Sequence, residues 1–165
     1  MNPIPKWHTK DSARDADTGP LSIEVREALL HAAQWARDTP PLVATITDRL
    51  YLQSLGERAR SWLAAHADRI ALKSAAKLRD PRFEPFHGAA MLIVFGVHAG
   101  HEGESADCDI AALNVLLRCS ELRLCAFNLG VERLWFDTPE GRRALGLPHD
   151  IQTAAGIAIL AAPRL

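Results

Sequence analysis

The sequence predicts an α+β fold, helices packed on a small mixed or antiparallel sheet, and three observations carry that expectation. Long stretches with apolar residues at helical spacing alternate with only a few strand-like runs. One of those runs, Ala90 to Val97, has no polar side chain on either face, which suits a central strand covered on both sides. The chain has 165 residues, 48% of them apolar and 24% charged, enough to bury a core without disulfide or metal support.

Each element follows in order. Residues 1–20 carry Pro3, Pro5, Gly19 and Pro20 with almost no apolar periodicity, so they are expected to form an extended arm before a single domain over 21–165. Ser22 is a helix cap with Glu24 in the first turn, and Ile23, Val25, Leu29, Leu30, Ala33 and Trp35 supply the apolar face. Pro40 and Pro41 end that helix. Leu42 to Thr47 is rich in β-branched residues and predicts a short strand. Asp48 caps a second helix through Leu52, Leu55, Ala59 and Leu63, continuing broken or bent through Ile70 and Leu78 to Pro81.

Phe83 to His87 and the glycine-containing His98 to Ser105 predict loops on either side of the central strand. Ala106 to Leu122 predicts a largely buried helix, with Asp107, Asp109, Arg118, Ser120 and Glu121 its few positions fit for water. Leu124 to Leu129 predicts a strand, Thr138 to Ala144 a short helix with Pro139 in its first turn, and Ile151 to Ala161 a final strand.

Composition excludes some classes of function. Nineteen basic and twenty acidic side chains leave a net charge of −1, which argues against a nucleic-acid backbone binder. The longest stretch without a strongly polar residue, Gly88 to Val97, is about half a membrane span. The first ten residues lack the apolar core of a secretory signal. The cysteines Cys108, Cys119 and Cys125 are odd in number and unpaired in spacing. A reduced, cytoplasmic setting is expected.

Local chemistry is sparse. His98, His101, Glu104 and Asp107 are metal-ligand types, but a glycine-rich loop fixes no geometry for them, and a solvated loop is the expectation. No Gly-Lys-Ser/Thr phosphate loop and no Gly-x-Ser-x-Gly elbow occurs, and the cysteines are expected to be buried and inert. Lys10, Ser12 and Arg14 differ. They alternate, so an extended arm would present two cations and a hydroxyl on one side, a set able to hold a phosphate or a carbonyl oxygen.

The order of motifs resembles the FMN-dependent nitroreductase family. Asp107 to Leu117 resembles its Asp-x-x-x-Ala-x-x-Asn-x-x-Leu helix, and Phe86 to Val94 is similar to the strand before it. Leu122 to Gly130, Arg143 to Pro148 and Gly156 to Pro163 follow where the family has its glycine-rich strand, its Leu-Gly-x-Pro and its last strand. Upstream, Lys10 to Arg14 lies where the family has Arg-x-Ser-x-Arg/Lys, and Glu24 to Trp35 resembles its first helix. The sequence departs at Arg37 to Val43, where the family writes Pro-Ser-x-x-Asn-x-Gln-Pro-Trp-x-Phe.

The resemblance implies an intertwined homodimer with FMN at its interface, passing a hydride from NAD(P)H to a small-molecule acceptor. It assigns Lys10, Ser12 and Arg14 to the flavin phosphate and pyrimidine edge, Arg164 to the phosphate, and the backbone at Leu129 and Gly130 to flavin N5. No residue in the sequence looks like a dedicated acid or base, and no metal is expected. The departures keep open a flavin-free dimer that serves as a binding or structural module, or as a subunit of a biosynthetic complex.

Overall fold

The computed structural model describes residues 19–34, 41–70 and 75–161. Helix α1 (Ile23–Ala33) starts at Ser22, whose hydroxyl accepts from the Val25 N–H at 3.4 Å. Strand β1 (Leu42–Ile46) follows, and Asp48 then opens α2 (Arg49–Ile70) by accepting from the Tyr51 N–H at 2.8 Å. Residues 71–74, over which the sequence predicts a broken or bent continuation, lie outside the described residues, and α3 (Ala75–Arg79) ends just before Pro81. Residues 1–18 of the expected arm, and Trp35, lie outside the described residues.

Strand β2 (Met91–His98) leads to α4 (Glu102–Glu121), which starts four residues earlier than the sequence predicts and shortens the expected 98–105 loop. One cause is visible: the Glu104 carboxylate accepts from the His98 N–H at 3.0 Å and ties the first turn to the strand end. That backbone hydrogen bond also holds the Glu104 carboxyl below the usual carboxylate range.

After β3 (Cys125–Asn128) comes a 3₁₀ helix, Val131–Asp137, that the sequence reading passed over. Helix α5 (Pro139–Leu145) has Pro139 in its first turn and closes on Gly146 at φ 66°, the left-handed position that favours glycine. Strand β4 (Ile151–Leu160) is the last element among the described residues.

Among the described residues four strands run β1-β2-β4-β3, and every pairing is antiparallel. Alternation along β2 splits the core in two. Met91, Ile93 and Phe95 pack with Leu29 of α1 and with Cys108, Ala111 and Val115 of α4. Leu92 and Val94 face the other way, onto Leu52, Leu55 and Ala59 of α2 and onto Trp135 and Phe136 of the 3₁₀ helix. Each large side chain buried this way contributes about 1.5–3 kcal/mol. The sheet is therefore the middle layer of three.

Candidate functional site

At the end of β3 the chain leaves the sheet at Leu129 and Gly130, and two cavities lie nearby in the fold. The Leu129 side chain is buried in the same apolar cluster as Leu52, Phe86 and Ala89, and those three form the apolar wall of a cavity of about 470 Å³ between α2 and residues 81–89. Arg49, Glu57 and Arg60 add polar lining to it. Leu129 itself borders a second cavity of about 310 Å³, between α4 and the β3–β4 pair, together with Asp109, Ala112, Leu113, Asn128 and Gly156. Both volumes fall in the range of small-molecule sites. The His87 ring, on a residue held at φ 52°, meets the Phe127 ring edge-on at 4.6 Å and links the first cavity to β3.

The two backbone amides at this turn have different partners. Leu129 N–H donates to the Gly156 carbonyl at 2.7 Å, which extends the β3–β4 ladder. Gly130 N–H donates to the Glu132 carboxylate at 2.8 Å, a side chain that can rotate. Glu132 is 6% exposed, and among the described residues no cation forms an ion pair with it. The 3₁₀ helix that carries it is pinned to β4. Arg133 donates to the Thr153 carbonyl at 2.6 Å, and Asp137 Oδ1 accepts from the Thr153 N–H at 2.8 Å and hydroxyl at 2.9 Å.

Beside the second cavity, α4 leaves Ile110, Leu113 and Leu117 at 40%, 53% and 51% exposure. Their spacing puts all three on one face of the helix, and Leu113 also lines the cavity. The cysteines are buried. Desolvation pushes the Cys108 thiol up to about 11 and the Cys119 thiol up to about 12, so neither supplies a thiolate at neutral pH. The Glu104 carboxylate pairs with His98 at 3.3 Å and His101 at 3.2 Å, and no group of three or more metal-ligand side chains forms among the described residues.

Of the residues singled out from sequence, Leu129 and Gly130 stand together at this turn. Lys10, Ser12, Arg14 and Arg164 lie outside the described residues. Sequence reasoning missed Glu132; the available signal was the Gly130-x-Glu132 spacing directly after a strand.

No protein-family model and no curated protein matches the chain in sequence. Solved structures do match it in fold. An FMN-bound nitroreductase from Bacteroides fragilis aligns with a TM-score of 0.76 and 18% identity, over 92% of this chain and 83% of that one. An FMN-bound nitroreductase from Desulfitobacterium hafniense aligns with a TM-score of 0.76 and 21% identity, over 93% and 85%. An iodotyrosine deiodinase bound to FMN and 3-iodo-L-tyrosine aligns with a TM-score of 0.66 and 14% identity, over 94% and 91%. Across most of its length, the chain therefore has the fold of the FMN-dependent nitroreductases.

Proposed function

We propose that the chain is an FMN-dependent oxidoreductase of the nitroreductase type that works as a homodimer in the cytoplasm. The carrying observation is the turn at Leu129 and Gly130, where Leu129 lines a ligand-sized cavity beside α4, in a fold shared with FMN-bound nitroreductases. When bound, FMN supplies the redox chemistry, taking a hydride from NAD(P)H and passing it to a small-molecule acceptor. The fit to this chain is testable on its donors. Leu129 N–H is committed to the sheet, whereas Gly130 N–H is freed by one side-chain rotation and is the donor that would orient the ring. Lys10, Ser12, Arg14 and Arg164 would hold the phosphate and pyrimidine edge, from an arm over 1–20 and from the end of one domain over 21–165.

The α4 stripe supports the dimer. Three large apolar side chains exposed on one face lose water contact against the same stripe of a second copy, an isologous arrangement that would close the adjoining cavity. The test is a titration of FMN into the purified protein, followed by flavin absorbance and fluorescence. Saturable quenching with a shifted flavin band is expected. Free-flavin fluorescence throughout would overturn the reading.

One observation favours a second reading. Both amides at the turn are satisfied internally, which suits a flavin-free dimer serving as a binding or structural module. The same titration separates the two.

A further inference from the structure

Glu132 is the one buried acidic side chain among the described residues. An ionised carboxylate without a counter-cation costs several kcal/mol to bury unless other donors stabilise it. The donor seen here is the Gly130 N–H at 2.8 Å, reached back across two residues, with the Glu132 Oε2 also 3.2 Å from where a Gly130 Cβ would stand. Its neighbour Arg133 is turned away, onto the Thr153 carbonyl. The carboxylate thus covers the Gly130 amide, which lies just past the last ladder hydrogen bond at Leu129.

We propose that Glu132 competes with the flavin for the Gly130 amide, so that this side chain sets cofactor affinity. The inference rests on the flavin reading above and adds a residue to it. A ligand acceptor atom at Gly130 must first displace a charge-assisted hydrogen bond, and the displaced carboxylate must find water or another donor. A free protein of this kind is closed at the turn by its own side chain, and binding exchanges one acceptor for another. The 3₁₀ helix need not move in that exchange, because Arg133 and Asp137 hold it to β4 on other atoms.

The experiment compares wild type, Glu132→Gln and Glu132→Ala. FMN affinity by fluorescence quenching is the first measurement, and hydrogen exchange of the Gly130 amide in flavin-free protein is the second. Removing the acceptor is expected to tighten FMN binding about tenfold or more in Glu132→Ala. The isosteric Glu132→Gln, which keeps the packing but not the charge, is expected to fall between the two. Gly130 exchange in flavin-free protein should be slow in wild type and faster in Glu132→Ala. Unchanged or weaker FMN binding in both variants, beside a wild type that binds, overturns the competition and leaves the flavin reading standing. Absence of FMN binding in all three proteins overturns both, and rapid Gly130 exchange in wild type overturns the competition alone.

Discussion

At Gly141 the first turn of α5 runs against the backbone of the 3₁₀ helix, and a Cβ there would stand 2.6 Å from the Phe136 Cα. Backbone cannot give way as a side-chain tip can, so Gly141→Ala is expected to destabilise the fold by about 1–3 kcal/mol, read as a lower urea midpoint. Gly146→Ala makes a useful contrast. Nothing lies within 4 Å of its Cβ position, and only the φ of 66° opposes the side chain, for a cost of about 1 kcal/mol. The buried thiols give a pH prediction. Cys119 is raised from 9.0 to about 12, so the folded chain keeps a proton that the unfolded chain releases. Its stabilisation is complete below pH 9 and is lost as pH rises from 9 towards 12, by about 1.4 kcal/mol per unit. Denaturant melts at pH 8 and 10.5 check this, with Cys119→Ala expected to flatten the dependence.

Elements were legible where their signals are local. Ser22, Asp48 and Pro139 each mark a helix start, and each sits at one. Replacing Ser22 or Asp48 by Ala is expected to cost about 1 kcal/mol, measured by thermal melting. The early start of α4 was hidden because Gly103 and two histidines imitate a loop, while the tie that helps fix it, Glu104 to the His98 amide, crosses six positions. The 3₁₀ helix over Val131–Asp137 was hidden for another reason: seven residues with a three-residue repeat give no amphipathic period to detect. On α4 the apolar residues were visible in sequence, but not which of them a single chain leaves exposed. The proposed homodimer makes this stripe testable. Leu117→Glu is expected to halve the mass seen by sedimentation at low micromolar concentration while the circular dichroism stays native. A dimer mass in that variant would take α4 out of the interface.

At the scale of the molecule, the layering was legible from one strand. Ala90 to Val97 announced a sheet covered on both faces, and Phe95 and Val94 indeed face different halves of the core. The site was legible only as a place. The turn at Leu129 and Gly130 could be picked out, but its hydrogen-bond partners could not, because Gly156 arrives from a strand far along the chain. The basic arm has its own prediction: Lys10→Ala and Arg14→Ala are each expected to weaken FMN binding by about 1.5–3 kcal/mol in the titration, and unchanged affinity in both would remove the arm from the site. The strand order has a consequence in time. Strand β4, the last of the four to be synthesised, is an inner strand, and among the described residues β3 pairs with β4 alone. Between the synthesis of β2 and that of β4, several seconds pass at about 5–20 residues per second, and through that interval the most apolar strand of the protein has one open edge. The nascent chain therefore cannot fold progressively behind the ribosome. It waits with a sticky edge until β4 slots into the middle of the sheet, and through that delay the edge is open to pairing with other chains.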